Sequence, residues 1–280
     1  MPYGMKVVVC EDCGHSYSYI DQEIDYDQFY QEGKYVLLDT RGSLFDRIIT
    51  KNNRLIIKQL GKLLPGGKVL DFGCGKGQFL ALFGENWSKV GVETAEARAT
   101  FAREKYGLKV ATALYEQGPI EGGAYDLITL FHVVEHLPEP RHLLKELIAS
   151  NLKSGGAFVA EVPLLDSWQS RLAGKHWMHL DPPIHLSHYT HKVLLDLVED
   201  LGLRTVRVST LSLPLGILGM CQALMSRFGY RGKIIEDLKF KRTKKLLLGV
   251  LLALPLASVM EGLALFFGKG GVIRVYATKP

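Results

Sequence analysis

The chain is poor in the features that would set it apart from ordinary globular proteins. Only four of its 280 residues are cysteine, Cys10, Cys13, Cys74 and Cys221. That excludes a disulfide-stapled secreted scaffold and favours a reducing compartment. Charge of one sign is not in excess: 34 basic and 29 acidic residues leave a net +5, too little and too scattered to argue for nucleic acid as a partner. No repeat or low-complexity tract occurs, which excludes solenoids and disordered spacers. The opening MPYGMKVVVC has no basic region, long apolar run or small-residue cleavage site, so a cytoplasmic location is expected. Metal signatures are lacking too. There is no H-E-x-x-H, and Cys10-Glu-Asp-Cys13-Gly14 has the spacing of a zinc knuckle but no second pair to complete four ligands. No metal is expected. What is present is 47% hydrophobic and 22% charged, and it is long enough to bury one large core with appendages.

Residues 1–42 show no sustained period. From Ser43 the spacing of Leu44, Ile48, Leu55, Ile56 and Leu60 predicts an amphipathic helix, stopped by Pro65-Gly66-Gly67. An alternation then begins. The runs 68–72 (KVLDF), 89–93 (KVGVE), 108–113, 125–131 (YDLITLF), 157–162 (AFVAEV), 203–210 and 272–279 (VIRVYATK) read as seven strands. Helical patterns at 78–83, 95–106, 140–152 and 190–201 lie between them. Strands separated by helices imply right-handed crossovers and a doubly wound, Rossmann-like α/β fold, with helices on both faces of a mostly parallel sheet. Residues 212–269 interrupt the alternation before the last strand.

The chemistry concentrates at Asp71-Phe72-Gly73-Cys74-Gly75-Lys76-Gly77-Gln78, at a strand end. Ligands of open α/β sheets bind beyond such ends, and glycines let the backbone approach them closely. Glu93 closes the second strand roughly 20 residues later, where a carboxylate can accept both ribose hydroxyls of an adenosine ligand. The glycines could equally form a plain tight turn; strand, loop and acid in this order favour a ligand. A dinucleotide fingerprint needs a third glycine where Gln78 stands, and Asp71 would repel a pyrophosphate while attracting a cationic amino group.

The run VLDFGCGKGQFL resembles the first motif of class I S-adenosylmethionine-dependent methyltransferases, and VGVE resembles the strand after it. YDLITLFHVVEHLPEPRHLLKEL, LKSGGAFVAEVP and DPPIHLSHYTHKVLLDLVEDLGL resemble later motifs of the type 11 or type 23 subgroup. The resemblance implies S-adenosyl-L-methionine as cofactor and an antiparallel last strand. It also implies that Asp71, Gly73, Gly75 and Glu93 line the cofactor, with Phe131 and His132 alongside. Phe72, Cys74, Gly77, Thr94 and Ala113 complete the expected set. Many relatives carry an acid after the third strand, but here Ala111-Thr112-Ala113-Leu114 offers none. The Cys10–Gly14 segment is similar to the second half of a zinc ribbon, so residues 1–42 are expected to be a relic of one or to follow a start codon placed too late.

A sulfonium methyl group is already activated, so aligning an acceptor is the main task and a base is needed only to remove a proton. His132, His136 and His185 are the candidates, each of which could instead only brace its loop. Glu135, His179, Asp181, His188 and Tyr189 lie in the same two segments. The expected function is therefore methyl transfer to a small-molecule acceptor, with a non-catalytic or membrane-associated module, or a nicotinamide-dependent oxidoreductase, as alternatives. The expected organisation is an N-terminal segment (1–42), a methyltransferase core (43–211), a basic and apolar helical insertion (212–269) and the final strand (270–280). Leu246 to Phe267 is long enough to span a bilayer and follows Lys239, Lys241, Arg242, Lys244 and Lys245. A strand after it that rejoins the sheet excludes a single crossing. Pro255 predicts a break into a helical hairpin, and residues 239–267 are expected to serve in self-association or peripheral membrane contact.

Overall fold

A computed structural model of the chain describes residues 5–21, 44–112, 120, 123–181 and 183–280. It divides into two units. One comprises Glu23–Glu161, Leu195–Arg207 and Val275–Pro280; the other comprises Met1–Gln22, Val162–Leu194 and Val208–Arg274.

The main sheet has seven strands: β3 (Gly67–Phe72), β4 (Trp87–Glu93), β5 (Lys109–Thr112), β6 (Tyr125–Phe131), β7 (Leu152–Pro163), β9 (Arg204–Ser209) and β10 (Val272–Thr278). Their order is β5-β4-β3-β6-β7-β10-β9. Every pairing from β5 to β7 is parallel. β10 runs the other way. Lys279 exchanges backbone hydrogen bonds with Gly155 and Gly156 at one end, and Leu164 N–H donates to Gly271 at the other. Strand order reverses between β3 and β6, so their carboxyl ends flank the switch point where such sheets hold ligands.

Packing explains why these segments read as near-continuous apolar runs. Val69, Leu127, Ala157, Val159 and Tyr276 lie in one cluster with Ile56 and Leu60 of α1 (Leu44–Leu60) and Ala99 and Ala102 of α2 (Glu96–Tyr106). Leu70, Ile128 and Phe158, one position along each strand, are fully buried as well. A sheet covered on both faces needs apolar residues at every position, not at alternate ones. α2 ends at Gly107, whose φ of 63° supplies the left-handed cap. α3 (Pro140–Asn151) and α5 (His191–Asp200) are joined by an Arg141–Asp200 ion pair at 2.6 Å.

Three sequence expectations are corrected. No α-helix follows the glycine loop; a single 3-10 turn, Leu80–Leu82, does. The segment has too few residues between Gly77 (φ 74°) and Gly84 to recover the cost of helix nucleation. Residues 1–42 are not irregular throughout: β1 (Lys6–Val9) and β2 (Ser16–Tyr19) form a hairpin whose third strand is β8 (Ser187–His188). A pair of four-residue strands is marginal alone, and its partner lies far along the chain. Pro255 does not divide the apolar run. α8 (Lys244–Phe266) continues through it, because Leu251, whose carbonyl loses its donor, is exposed and can bind water.

In the second unit, α4 (Trp168–Ala173), α6 (Leu213–Arg227), α7 (Ile234–Phe240) and α8 form a helical cluster around Met220, Cys221, Ile234 and Ala257. Gly216 and Gly219 let α6 approach closely: a Cβ would stand 2.8 Å from Glu261 Oε1 and 2.1 Å from Gln169 Oε1, respectively. Glu261 is buried, accepts from Gln169 at 3.0 Å and from Gly271 N–H at 3.2 Å, and has its pKa raised by burial.

Candidate functional site

Asp71, the last residue but one of β3, is buried at 3% exposure, and after Phe72 the chain turns through Gly73, Gly75 and Gly77, with φ of 80°, 55° and 74°. Those left-handed values suit glycine and strain other residues. Gly77 has a second reason: a Cβ there would lie 2.6 Å from Leu108 and 2.9 Å from Ala102. Gly75 differs, since its Cβ would meet open space. Its backbone N–H is held by Glu93 Oε2 at 2.8 Å. Glu93 Oε1 accepts from Ala95 N–H at 2.9 Å and more weakly from the Thr94 hydroxyl at 3.4 Å. A carboxylate offers about four acceptor positions. One oxygen clamps the loop and the other the start of α2, which fixes Glu93 beside the turn and leaves one acceptor position, with a second where the weak Thr94 bond yields, for a diol.

Asp71 is held by the strand beside it. Asp71 and Thr129 are register partners, and the Thr129 hydroxyl donates to Asp71 Oδ1 at 2.7 Å. Burial pushes the Asp71 pKa up to about 7; the Thr129 bond opposes this and the charge of Glu93 adds to it. Cys74 packs beneath Gly91, where a Cβ would be 2.6 Å from its Sγ, and burial raises its thiol pKa. It is filling, not a nucleophile. Phe72 is buried, and Phe131 meets Phe79 edge-on at 4.6 Å.

His132 directly follows Phe131, the last residue of β6, and its φ of 56° is rare for a side-chain-bearing residue. Its backbone N–H donates to Glu161 O at 2.9 Å, while Nδ1 lies 3.2 Å from Glu135 Oε1 and Nε2 3.1 Å from Glu161 Oε1. Burial pulls the imidazole pKa down, but the two carboxylates outweigh it and raise it to about 10. His132 is thus an imidazolium at neutral pH, able to present charge but not to accept a proton. His136 closes the 3-10 turn Val134–His136.

The remaining candidates belong to the other unit. His185 is buried, and its Nδ1 lies 2.7 Å from the His179 carbonyl. A carbonyl only accepts, so Nδ1 carries a proton and donates it there. Ser18 donates to the His185 carbonyl at 2.7 Å and sits 2.9 Å from His188 Nε2. Tyr189 stacks on His15 at 5.3 Å, and Asp181 pairs with Lys233. The structure therefore brings Asp71, Phe72, Gly73, Cys74, Gly75, Gly77, Glu93, Thr94, Phe131 and His132 together in the sheet unit. Ala113 lies outside the described residues.

A family model described as a methyltransferase domain, of type 23, matches residues 45–208. The chain belongs to this methyltransferase family. An uncharacterized protein of Methanocaldococcus jannaschii is 24% identical over 55% of the chain and 72% of its own length. The ubiquinone biosynthesis O-methyltransferase of Bordetella avium is 32% identical over 36% of the chain. The aligned part spans only 44% of that enzyme. Among solved structures, the geranyl diphosphate C-methyltransferase of Streptomyces coelicolor superposes with a TM-score of 0.55 at 14% identity, covering 84% of this chain and 80% of its own. At that identity the likeness concerns the fold.

Two residues of the candidate site escaped sequence reasoning. Thr129 and Glu161 are the lone polar residues near the ends of apolar parallel strands, the first paired with Asp71 and the second with Phe131. A single hydrogen-bonding side chain in a run buried on both faces costs free energy unless it has a partner. That was the available signal.

Proposed function

We propose that this protein binds S-adenosylmethionine at the β3–β4 loop and transfers its methyl group to a small-molecule acceptor in the cytoplasm. The observation that carries the reading is the pair of buried carboxylates, Asp71 and Glu93, fixed on either side of a glycine turn with open space at Gly75. Glu93 would hold the ribose hydroxyls with the lone pairs its two backbone donors leave. Asp71 would hold the amino group of the methionine part, since a cation there relieves the burial that raises its pKa. When bound, the cofactor supplies a methyl group already activated by its sulfonium. His132 contributes fixed positive charge at the end of β6. The Streptomyces enzyme was solved with S-adenosyl-L-homocysteine and a small prenyl diphosphate, which supports both the cofactor and the acceptor class.

Titration calorimetry with S-adenosylmethionine and, separately, with NAD tests the site. S-adenosylmethionine alone binds, and Glu93→Ala weakens it by on the order of tenfold or more. Binding of NAD instead, or an unchanged Glu93→Ala affinity, overturns the assignment. Production of S-adenosylhomocysteine with pools of phenols, amines and prenyl compounds tests catalysis. Binding without turnover on any pool would leave a non-catalytic module.

A further inference from the structure

The helix α8 has two apolar faces and only one of them is used. Leu246, Ala257, Glu261 and Ala264 form its buried stripe. On the opposite side Leu248, Leu252, Val259 and Phe266 follow one another at helical spacing and are exposed, Leu252 at 72% and Phe266 at 82%. A helix on the surface of a water-soluble domain turns a polar face outward. Here the one charged side chain between Leu246 and Phe266 is Glu261, and it points inward. An apolar stripe from Leu248 to Phe266, about 27 Å of the 23-residue helix, exceeds the scattered exposed leucines of a monomer and requires a covering partner.

Charge identifies that partner. Lys239, Lys241, Arg242, Lys244 and Lys245 are all exposed and crowd the N-terminal end of the stripe, next to Phe240 at 58% exposure. A second copy of this chain offers no complement. Parallel α8 helices would bring the two basic clusters together, and antiparallel ones would set each against Phe266 and Phe267, which carry no charge. An anionic lipid surface supplies both apolar depth and negative headgroups.

Sheet topology sets the depth. α8 lies between β9 and β10, which are neighbours in one sheet, so the chain must leave and return on the same side of the bilayer. A return crossing by α6 is too short, since its 15 residues reach about 22 Å against a hydrocarbon core of about 30 Å.

We infer that α8 docks on an anionic membrane as a helix lying in the plane of the interface, its outer leucines among the acyl chains and its basic end at the phosphates. The inference is independent of the proposed methyl transfer.

Cosedimentation of the purified full chain with vesicles tests it. Equimolar phosphatidylglycerol and phosphatidylcholine capture the protein, while pure phosphatidylcholine captures far less, and salt weakens the capture. Lys244→Gln with Lys245→Gln lowers partitioning on the order of 25-fold, about fivefold for each charge lost near the surface. Leu252→Glu with Val259→Glu lowers it by about 100-fold or more, and an unchanged thermal unfolding profile shows that the fold is intact. Equal capture by both vesicle types, full capture of the Leu252→Glu, Val259→Glu variant, or resistance to extraction by alkaline carbonate would each overturn the inference. So would a dimer in lipid-free buffer that the same variant dissociates, if vesicles capture nothing.

Discussion

Two apolar segments of this chain look alike in composition and meet opposite fates. β6, YDLITLF, is buried almost throughout and lies between β3 and β7. The run through α8 is at least as apolar, yet along it only Leu246, Ala257, Glu261 and Ala264 are buried. Parallel strands hide both faces because helices cover the sheet, whereas α8 packs one stripe on its neighbours and leaves the other outside. Hydrophobicity alone states a demand for cover; topology decides whether the chain itself meets it.

Three substitutions can break or sharpen that contrast. The largest expected effect is in the sheet: Ile128→Ala, at a fully buried site opposite Leu70, should cost about 3 kcal/mol of stability by leaving a cavity, measured by denaturant unfolding. Asp71→Asn comes next and acts in two directions. Asp71 is raised from 3.8 to about 7 in the folded protein, so folding favours the proton. The stability this provides is complete below the unfolded pKa and is lost as pH climbs towards 7. The asparagine variant should therefore gain thermal stability over the parent between pH 5 and 7, with the gap levelling above that. The same variant should bind S-adenosylmethionine 10- to 100-fold more weakly at pH 8. In the parent, affinity should fall about tenfold per pH unit below 7, because the carboxyl must ionise to meet an ammonium; calorimetry across pH reads both. The smallest effect belongs to α8: Leu252→Ser should move stability in lipid-free buffer by no more than about 0.5 kcal/mol. A large loss there would mean that the outer stripe is internal after all.

The contrast also marks how much could be read beforehand. Each of the seven strands of the sheet was legible, because a short apolar run bounded by glycine or polar residues has few other solutions. Asp71, the glycine turn and Glu93 were legible for a different reason, since backbone approach and ribose recognition impose residue types at fixed places along βαβ. The small sheet β1-β2-β8 was not, because Ser16 and His188 become register partners only once the intervening chain has folded. The clamp on His132 was hidden likewise: Glu161 lies on β7, and its meaning depends on a strand register that periodicity does not encode. Pro255 misled because its rule concerns a donor and a clash inside a packed helix, while at this exposed site water can take the orphaned carbonyl. β1, β2, β8 and the insertion belong to one unit, joined by pairings remote in sequence.

β10 has a bearing on biogenesis. It fills the slot between β7 and β9, yet translation delivers it only after the long greasy helix. Until then the nascent sheet carries two raw edges facing a gap, each a template for illicit pairing. A premature stop just before Val272 would thus do more than shorten the polypeptide: it would freeze the molecule at its stickiest moment, with the greasy helix made and nothing to close the seam.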